Sequence, residues 1–165
     1  MPKQPQLKIF TTGGTIDKVY FDARSEFEIG EPLIGAILTE AQVAFDFEVV
    51  QLMRKDSLEL NDEDRRTIRE AVQAAPESRI VITHGTDTMA ATAEALLGID
   101  DKTIVLVGAL NPARFRSSDA IFNIGLATGA VQAMQPGVYI AMNGRIFSAG
   151  HVKKNRDANR FEETD

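Results

Sequence analysis

Two hydroxyl-bearing motifs of this chain each follow an apolar, strand-like run, where a nucleophile could be presented. Thr12-Gly13-Gly14-Thr15 follows Leu7–Thr11, and adjacent glycines permit backbone turns that other residues resist, so a ligand can approach the main chain closely. Because the chain has no Cys and only two His, the Thr15 hydroxyl is a candidate for covalent chemistry. Taken alone, the tetrapeptide is also typical of a simple glycine turn, which is the plainer interpretation.

His84-Gly85-Thr86-Asp87-Thr88 follows the strand-like run Arg79–Thr83 and brings together an imidazole, two hydroxyls and a carboxylate. One interpretation is that Thr86, Asp87 or Thr88 only caps the next helix. The other is a site at that helix N-terminus, which would favour a bound anion. A Ser-His-Asp triad through His84 is conceivable, but no nucleophile-elbow motif accompanies it.

Two further polar stretches follow predicted strands. Lys55-Asp56-Ser57 is either a polar loop or a binding site for a small zwitterion. In a binding site, hydroxyl and amide hydrogen-bond donors would hold the carboxylate of the ligand, and Asp56 would hold its ammonium group. The basic run 151–156 is either a solvated surface or the source of a lysine that acts as a base inside a cleft. No segment has metal-ligand spacing, so we expect no metal. Dinucleotide and phosphate-loop fingerprints are also missing.

Strand-like runs alternate with helix-like segments, which predicts parallel pairing through right-handed crossovers. We expect an α/β fold in one domain over residues 1–165: a mostly parallel sheet with helices on both faces, a three-layer sandwich. Predicted strands are Leu7–Thr11, Phe45–Met53, Arg79–Thr83, Thr103–Val107 and Val138–Met142, with a hairpin at Asn143-Gly144 leading into Arg145–Phe147. Predicted helices are Pro32–Val43, Asn61 to Ala75, Thr88–Leu97, and Ser117 or Ser118 to about Met134. Ligands bind outside the carboxyl ends of such strands, where the polar motifs fall.

Composition narrows the function classes. The chain has 165 residues, 44% hydrophobic and 25% charged, with a net charge of −6. The acidic balance argues against nucleic-acid binding. No apolar run approaches the ~20 residues of a membrane span, and the N-terminus lacks the apolar core of a signal peptide, so we expect a soluble, cytoplasmic protein without a membrane partner. Within the last helix, Gly125 and Gly129 predict close packing against a neighbouring segment.

Taken together, the polar motifs resemble the bacterial-type L-asparaginases. Residues 10–16 (FTTGGTI) look like the first signature of that family and residues 81–89 (VITHGTDTM) like its second, while 107–110 (VGAL) and Lys154 follow in matching order. Each tetrapeptide alone is weakly specific, whereas both signatures in order, each after a strand, are highly specific. The resemblance extends over nearly the whole chain.

The resemblance implies a two-step hydrolysis of L-asparagine to L-aspartate and ammonia, without cofactor. Thr15 matches the nucleophile, which would form an acyl-enzyme that water then hydrolyses. Thr86, Asp87 and Lys154 match the second catalytic group of the family. Tyr20, five residues after Thr15, is the candidate for activating it, although the tyrosine of the family can also align near Phe27.

Substrate-binding positions are implied in the same way: Gly14, Asp56, Ser57, Asp87 and Ala109. Ser57 would hold the α-carboxylate and Asp87 the α-ammonium, and backbone amides near Gly14 and Asp87 would be oxyanion donors. Leu58 stands beside Ser57, where high-affinity members often have a polar side chain, so we expect a weaker grip on the carboxylate and less tolerance of glutamine.

Length is the main departure from the family, whose members usually carry a second, C-terminal domain. The resemblance therefore implies a short-chain member formed by the N-terminal catalytic domain, with a more open site. Losing that domain exposes surface, and we expect a homo-oligomer, dimer or tetramer, to cover it. Two alternatives remain: hydrolysis of glutamine or another small amide on the same scaffold, and a non-catalytic amino-acid-binding domain or a fragment of a longer enzyme.

Overall fold

The fold is built around one six-stranded sheet. A computed structural model describes residues 6–21 and 26–165. The strands of the sheet are β1 (Leu7–Gly13), β4 (Phe47–Lys55), β5 (Arg79–Thr83), β6 (Thr103–Val107), β7 (Gly137–Met142) and β8 (Arg145–Ser148). The helices are α1 (Ile34–Glu40), α2 (Asp62–Ala74), α3 (Met89–Ala95) and α4 (Ala120–Ala133). Short 3-10 turns cover Thr15–Asp17 and Ser57–Glu59.

The sheet has the order β4-β1-β5-β6-β7-β8, and its first five strands are parallel. Only β8 is antiparallel, joined to β7 by a turn in which Asn143 and Gly144 both have positive φ, of 54° and 72°. This is the hairpin that the Asn-Gly pair predicts, because such turns require positive φ at both central residues. The mostly parallel α/β architecture is confirmed.

Each face of the sheet has its own apolar core. Alternate residues of a strand point to opposite faces, so Phe10, Ile80 and Ile82 pack with α2 and α3, whereas Ile9 and Val81 pack with α1 and α4. The β5 and β6 segments Ile80–Ile82 and Ile104–Val107 are fully buried, as expected for strands covered on both faces. The predicted three-layer sandwich is therefore confirmed.

Two small hairpins lie outside the sheet and were not predicted. The first pairs β2 (Lys18–Phe21) with β3 (Glu26–Ile29), directly after the Thr15–Asp17 turn. The second pairs β9 (Val152–Asn155) with β10 (Arg160–Glu163), and it carries Lys154. Strands this short, with polar residues on both sides, give no clear period in the sequence.

Several predicted boundaries need correction. α1 runs only from Ile34 to Glu40, which is shorter than Pro32–Val43, and β4 is shifted to Phe47–Lys55. α2 begins as predicted, with a capping box in which Asn61 and Asp64 satisfy each other's backbone amides. α4 has Asp119 at its N-cap position, while Ser118 accepts a hydrogen bond from the Ala120 amide.

The prediction for Gly125 and Gly129 is wrong. A Cβ atom added at either position would meet no atom within 4 Å, so neither glycine permits a close contact with another segment of the described part of the chain. Both lie on the outward side of α4, which also exposes Ile121 and Phe122. Across 6–21 and 26–165, no helix combines the length and apolar character that crossing a membrane would take.

Candidate functional site at the strand ends

Glycines allow the carboxyl ends of three strands to meet without side chains between them. Gly13 and Gly14 have φ of 105° and 91°, in the region that favours glycine. A Cβ on Gly13 would lie 2.5 Å from the Lys55 carbonyl oxygen at the end of β4, and one on Gly14 would lie 2.5 Å from the Gly85 nitrogen after β5. The Thr12 hydroxyl donates to the Thr83 carbonyl at 2.8 Å, so it is a structural link between β1 and β5.

The second signature is held in the same manner. A Cβ on Gly85 would lie 2.5 Å from the Ser57 Cβ atom, and one on Gly108 would collide with the His84 carbonyl oxygen. The backbones of the polar segments after β4, β5 and β6, which are far apart in sequence, are therefore in direct contact. This explains why the motifs need glycine at these positions.

Lys154 forms hydrogen bonds with two side chains of the second signature. Its Nζ atom donates to the Thr86 hydroxyl at 2.7 Å and to the Asp87 Oδ1 atom at 2.9 Å. The Lys154 side chain is only 13% exposed, so the pair is partly withdrawn from solvent. Because Thr86 accepts from lysine, its own proton is free to be donated elsewhere. Arg156 Nε lies 3.6 Å from the same Asp87 oxygen, a contact that sequence reasoning missed.

Ser57 contacts the backbone of Asp87. Its buried hydroxyl accepts a hydrogen bond from the Asp87 amide at 3.2 Å, which leaves the hydroxyl proton for another acceptor. Thr88 occupies the N-cap position of α3 but does not cap it, since its hydroxyl donates to the Ser57 carbonyl at 2.7 Å. Of the two interpretations of this cluster, simple capping by Thr88 is therefore wrong.

The remaining substrate-binding candidates are dispersed around this centre. The Asp56 carboxylate accepts from the Leu58 amide and lies 3.4 Å from Lys18 Nζ, so a protein cation already accompanies it. Ala109 is buried at the end of β6. Oxyanion donors are expected among the backbone amides near Gly14 and Asp87, and the amides of these two residues already have acceptors: Gly14 donates to the Lys55 carbonyl and Asp87 to the Ser57 hydroxyl.

Thr15 begins a 3-10 turn and lines a cavity of about 290 Å³ together with Lys18, Phe27, Leu110, Pro112 and Phe115. No residue in the described ranges forms a hydrogen bond with its hydroxyl, so the group is unbonded and partly exposed. These are the properties of a side chain that can reach a ligand.

Tyr20 lies on β2, directly opposite Phe27 on β3. The two rings are 5.2 Å apart, and Phe27 in turn meets Phe115 edge-on at 5.6 Å. Both candidates for the position of the family's tyrosine therefore lie side by side. In this arrangement Tyr20 is half exposed and its ring is tilted against that of Phe27, without a hydrogen bond to Thr15.

His84 is fully buried and cannot serve as an exposed base. Its Nδ1 atom is 2.6 Å from the Gly85 carbonyl, which only accepts, so Nδ1 carries the proton and Nε2 accepts from the Thr92 hydroxyl at 2.8 Å. Burial lowers the pKa of His84 to about 4, against the opposing effect of the Gly85 bond. The imidazole is therefore neutral and orients the backbone next to Thr86.

Asp17 is a second buried ionisable group beside the site, and sequence reasoning missed it. Burial raises the pKa of its carboxyl to about 6, although the Leu33 amide, Arg54 and Arg114 all act in the opposite direction. A carboxylate two residues after a candidate nucleophile was the available signal, but its burial depends on the tertiary structure.

Comparison with known proteins places these observations in a family. The profile described as "Asparaginase, N-terminal" matches residues 6–162. A relative from Haemophilus influenzae, "Probable L-asparaginase periplasmic", is 32% identical over 161 residues, which is 91% of this chain and 46% of that protein. The chain thus spans about half the length of the curated relatives it matches.

Some of the matching relatives bear a different kind of name, and one of them illustrates this. It is a glutamyl-tRNA(Gln) amidotransferase component from Methanococcus maripaludis, 32% identical over 156 residues, which covers 87% of this chain and 36% of that protein. The sequence similarity therefore identifies the family, but it does not identify which amide substrate is cleaved.

Solved structures agree with the family. "The thermostable L-asparaginase from Thermococcus kodakarensis" superposes with a TM-score of 0.82 at 29% identity, over 95% of this chain and 50% of that one. A "Probable Cytoplasmic L-asparaginase" from Campylobacter jejuni gives a TM-score of 0.79 at 32% identity, over 97% of this chain and 52% of that one. The chain belongs to the asparaginase family and corresponds to its N-terminal domain.

Proposed function

We propose that this protein is an amidohydrolase that converts L-asparagine to L-aspartate and ammonia through a threonyl acyl-enzyme. The observation that carries the proposal is the preformed contact of Lys154 with Thr86 and Asp87, next to the loop that presents Thr15. An amino-acid-binding domain would have no need for a lysine bonded to a hydroxyl in this way, so the set favours catalysis over binding alone.

In the proposed reaction, the Thr15 hydroxyl attacks the side-chain amide carbon of asparagine. The Thr15 proton passes to the leaving nitrogen through the Thr86 hydroxyl, which Lys154 holds at 2.7 Å, and ammonia departs. Water then attacks the aspartyl ester and returns the proton to Thr15. One amide bond is broken and one water is consumed, with no redox change and no cofactor.

Binding of the substrate's amino-acid end is assigned to Ser57 and Asp87. The Ser57 proton is available for the α-carboxylate, because the hydroxyl oxygen already accepts from the Asp87 amide. Lys154 donates to Oδ1 of Asp87 at 2.9 Å, and Arg156 lies 3.6 Å from the same oxygen, so we assign the other oxygen, Oδ2, to the α-ammonium. Gly14, Asp56 and Ala109 complete the proposed lining.

The test is ammonia release from a panel of L-asparagine, L-glutamine and other small amides. We expect asparagine to be the best substrate and glutamine a poor one, since exposed Leu58 supplies no polar contact beside Ser57. Faster turnover of glutamine or of a larger amide would move the assignment to that substrate, an alternative that the amidotransferase-named relative supports. Aspartate binding with no turnover of any amide would reject catalysis.

Assembly and location remain proposals. We propose a homo-oligomer, dimer or tetramer, because Tyr20, Phe27, Leu58 and Phe115 expose apolar surface around the site that a second copy could cover. Sedimentation at micromolar concentration tests it, and a monomer would reject it. A cytoplasmic location is supported by the name of the Campylobacter neighbour, whereas the Haemophilus relative is named periplasmic. Cell fractionation distinguishes the two.

A further inference from the structure

Asp17 links the Thr15 turn to the segment that runs from the end of β3 to the start of α1. Its backbone amide donates to the Gly14 carbonyl at 3.2 Å, and its backbone carbonyl accepts from Gly30 at 2.8 Å. Its side-chain Oδ1 atom accepts from the Leu33 amide at 3.1 Å, where α1 begins. Through these bonds Asp17 closes the root of the β2–β3 hairpin.

The loop after β6 is attached to the same turn. The Ala113 amide donates to the carbonyl of Ile16 at 3.0 Å, next to Asp17 in the chain. Arg54 on β4 and Arg114 in this loop favour the ionised form of the Asp17 carboxyl, although no ion pair among the described residues joins either of them to Asp17, and Glu31 pairs with Arg54 at 2.9 Å. An ionised Asp17 therefore interacts favourably, at longer range, with β4 and with the loop after β6.

Near neutral pH the ionised carboxylate of Asp17 lowers the stability of the folded state. Asp17 is only 2% exposed, and its pKa of about 6 lies above the ordinary value of 3.8, so the folded state binds the proton more tightly than the unfolded chain. The stability that protonated Asp17 contributes is present at low pH and is lost as the pH rises from about 4 through about 6. A buried charge that disfavours the fold is a candidate for a functional role.

We propose that Asp17 is a positioning residue for Thr15: its buried carboxylate holds the start of α1 against the turn that presents the Thr15 hydroxyl, its main chain closes the root of the β2–β3 hairpin on the same turn, and its charge attracts Arg54 and Arg114 at longer range. The inference rests on the proposed function, in which Thr15 is the nucleophile. Asn at this position keeps an acceptor for the Leu33 amide but loses the attraction to Arg54 and Arg114. Asp17→Asn therefore separates the charge from the hydrogen bond.

The experiment compares wild type, Asp17→Asn and a matched charge control, Glu40→Gln, which changes an exposed carboxylate on α1. Ammonia release from asparagine and the thermal midpoint are measured from pH 4.5 to 8.5. We expect Asp17→Asn to have a higher thermal midpoint at pH 7, yet a kcat lowered roughly tenfold to a hundredfold by the displaced nucleophile. KM should change less, and the fall of wild-type kcat below about pH 6 should disappear in the variant. Glu40→Gln should match wild type throughout.

Two results would overturn the inference. The first is a wild-type kcat in Asp17→Asn at pH 7. The second is a lowered kcat together with a thermal midpoint below that of wild type, because the loss of activity would then follow from a loss of stability. If the wild-type protein releases ammonia from none of the amide substrates, the proposed function fails. Hydrogen exchange of the backbone N–H groups then tests the positioning role of Asp17 separately. In Asp17→Ala we expect faster exchange at residue 17 and at Ala113, beyond the Leu33 amide that loses its acceptor. Unchanged exchange at Ala113 would overturn the positioning role without reference to activity.

Discussion

Lys154 and Thr15 belong to two halves of the candidate site that are held in different ways. In the lysine half, Lys154, Thr86 and Asp87 are joined by hydrogen bonds of 2.7 and 2.9 Å. In the threonine half, the Thr15 hydroxyl is unbonded among the described residues, and its surroundings are the β2–β3 hairpin and the Phe27–Phe115 contact. One half is closed by polar contacts, whereas the other is open and largely apolar.

The difference is informative about the chemistry that each half would perform. Groups that are fixed before substrate arrives cost no reorganisation at the moment of reaction, which suits a proton-transfer set. A nucleophile must reach the substrate carbon, so a hydroxyl that is already paired in the free protein would first have to break that pair. The contrast predicts that changes in the two halves will have different kinetic signatures.

The largest effect is expected at Thr15. Thr15→Ala removes the proposed nucleophile, so ammonia release should fall by a factor on the order of 10⁴ or more, while the fold persists because the side chain makes no described hydrogen bond. Steady-state ammonia assays and thermal melting measure the two quantities. Thr67→Ala, an exposed threonine on α2, is the control. Near wild-type turnover in Thr15→Ala would remove it from the mechanism.

A slightly smaller loss is expected in the lysine half. Lys154→Met keeps the length of the side chain but deletes both hydrogen bonds, and turnover should fall to near background, on the order of 10²- to 10⁴-fold. Lys153→Met on the same strand is the matched control, since Lys153 faces solvent. If both variants behave alike, the lysine half is not a proton-transfer set.

Tyr20 provides the next test, within the threonine half. The family resemblance implies that the Tyr20 hydroxyl activates Thr15 when substrate is bound, and in that case Tyr20→Phe should lower the acylation rate, seen in single-turnover kinetics, by roughly 10²-fold. The chain has one other tyrosine, Tyr139, whose hydroxyl donates to the Gln135 carbonyl, so Tyr139→Phe is a matched control. An effect no larger than that of Tyr139→Phe would sink the assignment and leave the hairpin with an apolar role.

The smallest effects are expected from glycine substitutions, one at the close backbone contact between the two halves of the site and one on α4. Gly85→Ala should cost about 1–3 kcal/mol in the free energy of unfolding, because its Cβ would meet Ser57 at 2.5 Å. Gly125→Ala on α4 should instead add roughly 0.5–1 kcal/mol, since its Cβ meets open space inside a helix. Urea denaturation measures both. Equal costs at the two positions would contradict the backbone contact at Gly85.

The fold was predictable because strand-forming runs and helix-forming runs alternate so regularly. The fully buried segments of β5 and β6 are short apolar runs bounded by turn residues, and Asn61 with Asp64 is a recognisable helix start. The β2–β3 hairpin was not predictable, because its pairing depends on Asp17 and Gly30 at its root. The α4 glycines were misread, since sequence cannot say whether a helix face is covered.

For the site, the sequence by itself determined the residue types and their order: hydroxyls and glycines after β1, a second polar cluster after β5, and a lysine near the end of the chain. It did so because a parallel sheet brings the ends of its strands to one edge. Only the tertiary structure decided that Lys154 reaches Thr86 across 68 positions of sequence, that His84 is buried and neutral, and that Asp17 is buried with a raised pKa. Hydrogen bonds between distant segments and loss of solvent are set by packing, which no local pattern of residues specifies.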